Sequence, residues 1–306
     1  MKIYRNLNKL KNTKSSVIAV GNFDGLHLGH KKVLEEAKNK ARRNKQKLGV
    51  ITFEPVPVMF FNKKIKNHRI NNLDQKIDYF KKFKIDFLLI IKFNKKFSNI
   101  SYKHFIYKII HKKLKSSCVF ISKNFRFGKS REGDISKLIS NESLYSYKTF
   151  VSKPLKKYSK VLSSTIIRKE ISKGNIKKVN EALGRDWCVE GKVIKGEKRG
   201  SAIGFPTCNI DLKDYALPKL GVYAVKVSTN KINRLGIANV GYRPTFEDKK
   251  KILLEVNIFG LKANLYNKKI KVSFSKFIRP EKKFNNIDQL KIQIKKDIIK
   301  IKNLKN

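Results

Sequence analysis

Two of the chain's five histidines, His27 and His30, lie three residues apart in a glycine-containing segment near the N-terminus. This segment follows an apolar run and precedes a helical pattern, so both imidazoles are expected on one face at a helix start. Gly29 lets a phosphate approach the backbone, and the free N–H groups of a helix start favour an anion. The spacing predicts a clamp for a nucleoside triphosphate attacked at its α-phosphorus, rather than a turn whose histidines only cap or pack. The other ATP contacts predicted in this segment are Gly21, Phe23 and Asp24.

A second segment, Ser163–Arg168, has the composition of a further phosphate contact. Hydroxyl groups at a helix start can cap the helix and still bind phosphate, and an arginine one turn later would add a charged fork. Read alone, the segment is an ordinary N-cap, but its pairing with the histidine motif favours phosphate binding. The predicted ATP contacts here are Ser164, Thr165 and Arg168.

Glycines recur between Gly191 and Asn209 in the second half of the chain. Such a loop can direct its N–H groups at phosphate oxygens, although no Gly-Lys-Ser/Thr follows that would make it a Walker A motif. Thr207 and Asn209 offer oxygen atoms two residues apart, on one face of a strand, which suits Mg²⁺ held partly by ATP. The alternative is that the glycines only serve hairpin turns. The predicted ATP contacts are Gly196, Lys198, Gly200, Gly204 and Pro206.

The first half of the chain alternates apolar strand patterns with helical ones. Continuous apolar runs between helices are typical of a parallel sheet covered on both faces, so a doubly wound α/β domain is predicted. Ligands of such sheets bind beyond the carboxyl ends of the strands, where the histidine motif would lie. Strands are predicted at 16–20, 48–53, 86–91 and 119–121, and helices at 28–44, 72–83, 101–114, 164–173 and 176–183.

After Gly184, short β-rich runs separated by Gly, Pro and Asn turns replace the helical pattern. They predict a small antiparallel β-barrel, which a C-terminal amphipathic helix over 287–301 follows. The expected domains are therefore residues 1–184 and 185–306. The predicted barrel strands are 189–194, 221–227, 235–240, 253–259 and 270–274.

The composition limits the class of protein. With 306 residues and 41% hydrophobic residues the chain can build two cores, and it has no run of ~20 apolar residues that would span a membrane. No secretory signal is seen, and three scattered cysteines favour a reducing cytoplasm over a disulfide framework. The net charge of +49 would fit nucleic-acid binding, but the lysines are spread along the whole chain with abundant Ile and Asn, as AT-rich coding produces. We expect a solvated basic surface without a nucleic-acid or membrane partner.

Four blocks of the first half resemble, in order and spacing, the N-terminal module of bacterial bifunctional riboflavin kinase/FAD synthetase. They are Gly21–His30, Thr52–Pro57, Asn124–Gly128 and Ser163–Arg168. The resemblance implies an FMN adenylyltransferase: the FMN phosphate attacks the α-phosphorus of ATP, and pyrophosphate leaves without a covalent enzyme intermediate. It implies that His27 and His30 hold the phosphates and stabilise the transition state, while the serine-threonine motif closes over the pyrophosphate. It also places Asn124 near the flavin phosphate or the nucleotide, with Phe61 and Phe127 as candidate flavin-stacking faces for which a core role stays open.

The second half resembles the flavokinase module of the same family. The matching blocks are Gly204–Asn209, Leu217–Tyr223, Asn239–Thr245, Leu254–Glu255 and Ile278–Glu281. The resemblance implies that Glu255 is the general base that takes the proton from the ribityl 5′-hydroxyl group of riboflavin. It implies that Arg279 helps to place the flavin or the nucleotide. Without the resemblance, Glu255 would be one carboxylate among many.

The chain departs from the family pattern at several positions, and these departures bear on the rates of the two reactions. They leave the expected general base and the expected metal-binding pair in place. The departures are Ser122 for glycine, Val161 for a basic residue, Cys208 for alanine, Asn257 for histidine, Gly260 and Leu261 for an Asp-Phe pair, and Asn267 for glycine.

The expected function is phosphorylation of riboflavin to FMN by the second domain and adenylylation of FMN to FAD by the first. ATP is the expected co-substrate of both steps, with Mg²⁺ and without a tightly bound prosthetic group, in a monomer or weak oligomer. One alternative is a nucleotidyltransferase that passes CMP or AMP to a non-flavin phosphate, with a barrel that only binds. The other is a basic nucleic-acid-binding protein, which steep salt dependence of DNA binding without flavin turnover would reveal.

Overall fold

The computed structural model describes residues 1–10, 13, 15–157, 159–196, 199–243, 251–261 and 263–304, with the backbone alone at Arg199, Arg243 and Lys251. Its contacts divide the chain into two compact units. The first comprises Met1–Lys66 and Leu73–Ser163, and the second comprises Asn67–Asn72 and Ser164–Asn306. This division places residues 164–184 with the second unit, and the functional boundary expected near residue 184 stays a prediction.

A parallel sheet forms the first unit. Its strands are β1 (Lys2–Tyr4), β2 (Val17–Val20), β3 (Leu48–Glu54), β4 (Phe87–Lys92), β5 (Cys118–Ser122) and β6 (Lys148–Ser152). They lie in the order β1-β4-β3-β2-β5-β6, and every neighbouring pair is parallel. The short strands β7 (Lys156–Lys157) and β8 (Lys160–Val161) form a separate antiparallel pair.

The helices of this unit cover both faces of the sheet. They are α1 (Leu28–Arg43), α2 (Pro57–Phe61), α3 (Leu73–Phe83), α4 (Lys95–Ser98), α5 (Tyr102–His104, continued as a π-helix over Phe105–Lys113), α6 (Ile135–Ile139) and α7 (Glu142–Tyr145), with 3-10 turns at Leu7–Lys9 and Lys129–Arg131. Val17 and Ala19 of β2 pack into the cluster under α1 and α3, whereas Ile18 and Val20 face the π-helical side. Because both faces of the sheet are buried at its centre, the central strands β2, β3, β4 and β5 are largely apolar, which confirms the predicted α/β architecture.

The four predicted strands of this unit are present within one residue of their predicted bounds. The edge strands β1 and β6 are not predicted by the sequence, because their residues are largely exposed or half-buried and give no apolar run. The helix predicted over 101–114 begins as α5 but continues with π-helical turns. These turns bury Phe105, Ile106, Ile109 and Ile110.

The second unit contains an almost closed antiparallel barrel. Its strands are β9 (Cys188–Lys192), β10 (Cys208–Asp211), β11 (Gly221–Ser228), β12 (Asn233–Arg243), β13 (Lys251–Ile258) and β14 (Lys269–Arg279). They lie in the order β10-β13-β12-β11-β14-β9. An antiparallel bridge between Ile194 and Asn209 links the two ends of this order, which confirms the predicted barrel. The helices of this unit are α8 (Ser164–Ser172), α9 (Ile176–Leu183), α10 (Arg199–Ala202) and α11 (Ile287–Asn303).

The core of the second unit explains why residues 67–72 belong to it. Trp187 is 0% exposed, and its Nε1 donates a hydrogen bond to the Ile70 carbonyl at 2.9 Å. The indole also packs against Phe274 of β14, with ring centroids 4.6 Å apart. Next to Ile70, the Arg69 N–H donates to the Asp214 carbonyl and the Arg69 carbonyl accepts from the Ala216 N–H, at 2.7 Å each. A buried indole needs a hydrogen-bond acceptor, and this segment supplies it.

Helix α11 closes the second unit after the last strand. Asn286 caps it by accepting a hydrogen bond from the Gln289 N–H at 2.9 Å. The helix buries Asp297 and Ile301 against the barrel. Like every other helix in the described part of the chain, it is too short or too polar to cross a membrane.

Candidate active sites

The carboxyl edge of the parallel sheet carries the first candidate site. The chain runs from β2 to β3 and β4 on one side, and later to β5 and β6 on the other. Gly21–His30 follows β2, and Asn124 follows β5, which pairs directly with β2. This point is the topological switch of the sheet, where ligands of open α/β sheets bind. The fold therefore brings the two predicted segments to adjacent strand ends.

His27 and His30 lie at the N-terminus of α1, where their spacing predicts them. His27 is the N-cap residue, and its Nδ1 accepts a hydrogen bond from the His30 N–H at 3.3 Å. Because Nδ1 accepts, a neutral His27 ring carries its proton on Nε2, which is a donor suited to a phosphate oxygen. The two rings stack with centroids 3.7 Å apart. His27 is 5% exposed and His30 is half-buried, so the pair meets solvent chiefly through His30.

The turn that carries the histidines has a strained backbone. Phe23, Gly25 and Leu26 have φ values of 48°, 80° and 38°. The left-handed region costs a non-glycine residue about 1–2 kcal/mol, so Phe23 and Leu26 need external support. The Phe23 ring provides some of it, since it packs edge-on against Phe80 at 5.6 Å and His30 at 5.3 Å.

The other residues predicted in this turn differ in their surroundings and in how much space they have for a side chain. At Gly29 a Cβ atom would lie 3.1 Å from the Cε1 and Nδ1 atoms of His27, so a side chain there would press on the imidazole. At Gly21 a Cβ atom would lie 3.4 Å from the Phe23 ring, which is ordinary contact. Asp24 is 5% exposed, inside the turn rather than on its surface.

The residues predicted to bind FMN have different environments. Asn124 is exposed in the turn after β5. Phe61 is 68% exposed at the end of α2, and its ring contacts the Phe93 ring at 5.7 Å. Phe127 is 6% exposed and packs against Phe105 at 5.1 Å, inside the core. Of the two roles left open for the aromatic pair, the packing favours a core role for Phe127 and leaves Phe61 accessible to a flavin.

The serine-threonine motif begins α8, as predicted. Ser164 is the first residue of the helix, and Thr165 is exposed, while Ile167 is buried on the opposite face. Arg168 follows one turn later and is half-buried. Its contact with a nucleotide stays a prediction.

The barrel contains the second candidate site, a cavity of about 450 Å³. A row of residues in register crosses five neighbouring strands on its wall: Asn209, Glu255, Asn239, Val222 and Arg279. Residues paired across antiparallel strands lie on the same face, so the row brings the predicted base and the predicted flavin contact to one surface. Strand pairing therefore brings residues that are up to 70 positions apart in the sequence, from 209 to 279, to the wall of one cavity.

Thr207 and Asn209 both line this cavity, which fits their predicted role as magnesium ligands. Asn209 is 5% exposed, and its Oδ1 has no hydrogen-bond partner among the described residues. A buried oxygen without a donor next to a hydroxyl and a carboxylate is the donor set that Mg²⁺ prefers. A Cβ atom at Gly196 would collide with the Asn209 amide, and one at Gly200 would lie 3.3 Å from Thr207 Oγ1. These two glycines let the loop approach the pair.

Arg279 is held in the cavity wall by residues that the sequence does not indicate. Its Nε donates to Asp297 Oδ2 at 2.8 Å, and Asp297 is 3% exposed. Gln293 donates to the other carboxylate oxygen at 2.9 Å. The guanidinium also lies 5.9 Å from the centre of the Phe284 ring. No motif marks Asp297, because its partner is set by the docking of α11 on the barrel.

A second cavity of about 420 Å³ adjoins the first, and Thr207 lines both. Pro206, Cys208 and Tyr266 line the second cavity as well. Burial raises the pKa of the Cys208 thiol, so it stays neutral in the place where the family has alanine. Gly204, with φ of 89°, has the left-handed conformation that glycine supplies. The predicted contact Lys198 lies outside the described residues.

Two departures from the family pattern have a local structural explanation. Asn257 Nδ2 donates to the Pro206 carbonyl at 2.7 Å, so it braces the Gly-Phe-Pro-Thr loop. Asn267 has φ of 62°, a conformation that glycine adopts freely and asparagine tolerates better than other side chains. Both replacements are compatible with the barrel.

Comparisons of the sequence with protein families assign each half separately. A family model described as FAD synthetase matches residues 9–166, and one described as riboflavin kinase matches residues 183–305. The first match contains the histidine turn, and the second contains the barrel cavity. The histidine turn and the barrel cavity therefore fall within different family matches.

Curated relatives from three bacteria are similar over nearly the whole chain, and each is named bifunctional riboflavin kinase/FMN adenylyltransferase. The chain is 41% identical to the protein of Buchnera aphidicola subsp. Schizaphis graminum over 303 residues, or 97% of each chain. It is 38% identical to that of Bacillus subtilis, covering 92% of this chain and 90% of the relative. It is 31% identical to that of Escherichia coli K12, covering 97% and 96%.

A solved structure supports the fold. A crystal structure named for a macrolide-efflux protein from Streptococcus pneumoniae superposes with a TM-score of 0.87 and 27% identity, covering 98% of both chains. The efflux activity in that name is said of the streptococcal protein, whereas the enzyme activities are those of the curated relatives.

Proposed function

We propose that the two reactions of the bifunctional riboflavin kinase/FMN adenylyltransferase family, to which this chain belongs, are divided at residue 184, with FMN adenylylated by residues 1–184 and riboflavin phosphorylated by residues 185–306. The chain converts riboflavin to FMN and FMN to FAD, and ATP is a substrate of both steps. The observation that supports this division of the two reactions is that the candidate catalytic residues lie in different units. The stacked histidines stand at the switch point of one unit, and Glu255 stands in the barrel cavity of the other.

In the kinase reaction, riboflavin occupies the 450 Å³ cavity, a size typical of small-molecule sites. Glu255 accepts the proton of the ribityl 5′-hydroxyl group while that oxygen attacks the γ-phosphorus of ATP. The bond from the γ-phosphorus to the β-γ bridging oxygen breaks, and ADP leaves. Arg279 orients the flavin from the opposite end of the cross-strand row.

ATP for this step occupies the adjoining cavity, with its phosphates at Thr207, the residue that both cavities share. The glycine loop, with Gly196 and Gly200, directs N–H groups at the phosphates. Thr207 and Asn209 are the proposed ligands of Mg²⁺, which neutralises phosphate charge when it is bound.

In the adenylylation reaction, a phosphate oxygen of FMN attacks the α-phosphorus of ATP in line, and pyrophosphate leaves. His27 and His30 donate to the phosphate oxygens as negative charge builds, and the positive end of the α1 dipole adds to this stabilisation. Gly21, Phe23, Asp24 and Gly29 shape the turn, and Ser164, Thr165 and Arg168 are proposed pyrophosphate contacts. Asn124 and Phe61 are proposed to hold FMN, with Phe127 supporting that wall from the core.

The remaining proposals concern the setting of the enzyme. We propose that it acts in the cytoplasm, since all three cysteines are free thiols, two of them buried. We propose further that it acts as a monomer or weak oligomer, needs no tightly bound prosthetic group and has no nucleic-acid partner. The charge of +49 is the reason to test the last point directly.

Product analysis tests the proposed function. Incubation of the protein with riboflavin, ATP and Mg²⁺ should give FMN first and FAD later, with one ADP released per FMN and one pyrophosphate per FAD. Chelation of Mg²⁺ by EDTA should stop both steps. Formation of FAD from supplied FMN without any FMN from riboflavin would contradict the kinase assignment. DNA binding that falls steeply with salt, in a protein without flavin turnover, would contradict both assignments.

Replacement of Asp297 by asparagine should weaken riboflavin binding. The change removes the charge that fixes Arg279, and a hydrogen bond to a charged group is worth about 1.5–3 kcal/mol, so KM for riboflavin should rise by about tenfold or more. Adenylylation of supplied FMN should stay unchanged. Asp288→Asn, on the same helix but exposed, is the matched control. An unchanged KM for riboflavin in Asp297→Asn would show that Arg279 needs no such support.

A further inference from the structure

One lysine of the first unit is fully buried, although no lysine of this unit is among the predicted substrate contacts. Lys76 lies on α3 and is 1% exposed, one of the largest fully buried side chains of the described residues. Lysine is almost never fully buried unless its ammonium group is engaged, because removing the charge from water is costly. Its Nζ donates a hydrogen bond to the Asn22 carbonyl at 3.0 Å. That carbonyl belongs to the turn between β2 and α1, where the histidine pair lies.

Two side chains hold the same backbone oxygen. Besides Lys76, the buried Thr52 donates to the Asn22 carbonyl, with Oγ1 at 3.1 Å. The carbonyl is part of the peptide plane that leads into Phe23, the first residue of the turn with positive φ. Since the peptide unit is planar, fixing its oxygen limits the φ that Phe23 can adopt. The two donors therefore restrain the turn at Phe23, its first residue with positive φ.

The same helix restrains the turn at a second point. Phe80 lies one turn after Lys76 on α3, so both side chains point the same way. Phe80 packs against the Phe23 ring at 5.6 Å, and Phe23 meets the His30 ring at 5.3 Å. A continuous set of contacts thus leads from α3 to the histidine pair. A strained turn persists only where the surrounding structure fixes its conformation. In this unit, α3 provides such contacts.

We propose that Lys76 is a positioning residue for adenylyl transfer. By holding the Asn22 carbonyl it keeps the Gly21–His30 turn, and with it the stacked imidazoles, in the geometry that the phosphates require. It acts through the turn and touches no substrate. This inference rests on the proposed role of the histidine pair.

Replacement of Lys76 by methionine, which has similar length and no charge, tests the proposal. A misplacement of about 1 Å at reacting groups can cost 10²-fold, so kcat for FAD formation from FMN should fall by at least about tenfold. FMN formation by the barrel should stay within twofold. Lys81→Met, an exposed change on the same helix, is the matched control and should leave both rates unchanged.

Histidine NMR separates positioning from a loss of stability. The chain has only five histidines, so their imidazole Cε1–H signals can be assigned one by one. Lys76→Met should shift the signals of His27 and His30, which lie in each other's ring currents, and leave those of His104 and His111 in place. Thr52→Val removes the other donor to the same carbonyl and should act in the same direction, which keeps the test open if Lys76→Met does not fold.

Three results would overturn the proposal. The first is a kcat for FAD formation within twofold of the parent in folded Lys76→Met, and the second is a fall in kcat without a shift of the His27 and His30 signals. If Lys76→Met does not fold, an unchanged FAD rate in Thr52→Val is the third. Unimpaired FAD formation in a His27 variant would instead contradict the proposed function itself.

Discussion

Replacement of Glu255 by glutamine should lower kcat for FMN formation by about 10²–10⁴-fold, the usual contribution of a general base. Glutamine keeps the size of the side chain and its place in the cross-strand row but cannot accept the proton of the ribityl hydroxyl group. Adenylylation of supplied FMN should be unchanged, because Glu255 lies in the second unit, in the barrel. Rates of FMN and FAD formation measured on one preparation give both results.

Two further glutamates serve as comparisons that test whether the effect is specific to Glu255. Glu281 lines the same cavity, and its Oε1 lies 3.5 Å from Asn239 Nδ2, whereas Glu190 on β9 pairs with Lys269 away from the cavity. Glu190→Gln should leave the rate of FMN formation unchanged, and Glu281→Gln should lower it less than Glu255→Gln does. If Glu281→Gln caused the larger loss, the base would have been assigned to the wrong carboxylate.

Replacement of His27 by alanine should lower kcat for FAD formation by about 10²–10³-fold, the loss expected when a donor to transition-state charge is removed. FMN formation should continue at the parental rate, so that riboflavin and ATP give FMN that accumulates. The stacked arrangement at the helix start is the physical basis of this expectation, because His27 also sets the position of His30. Chromatography of the flavin products over time measures both effects.

A second variant separates catalysis from helix capping. His27 is the N-cap of α1, and its loss can cost about 1 kcal/mol of stability. His27→Asn keeps a capping side chain but has no imidazole, so it should be as inactive in FAD formation as His27→Ala. Recovery of the rate in His27→Asn would mean that the histidine serves only the helix. His104→Ala, at an exposed site in the same unit, controls for the general loss of a histidine.

Local sequence patterns predict the structure correctly where the neighbours of a residue in space are also its neighbours in the sequence. The His-x-Gly-His spacing predicts two rings at one helix start, and the structure has them stacked there. Continuous apolar runs predict the central strands of the sheet within one residue, because burial on both faces leaves no alternation. The same logic fails for β1 and β6, whose outer positions demand no apolar run.

Such sequence patterns do not predict contacts between segments that are far apart in the chain. Glu255 reads as an ordinary carboxylate until strand pairing puts Asn209 on one side of it and Asn239 on the other. Phe61 and Phe127 look alike as candidate flavin contacts, yet one is 68% exposed and the other 6%. The difference comes from packing, since Phe127 faces a filled core and Phe61 lies at the end of a short helix.

Periodicity and short spacing were enough to predict the two classes of domain and the histidine pair, whereas Glu255 was indicated only by the family resemblance of its block. In contrast, nothing before the folded structure points to Lys76, which donates a hydrogen bond to the Asn22 carbonyl, or to Asp297, which accepts one from Arg279. Both are single charged residues in a chain with 72 lysines and arginines and 23 acidic residues, so composition gives no reason to choose them. Their burial distinguishes them from the other charged residues, because a charged side chain is tolerated inside a fold only where a specific partner binds it.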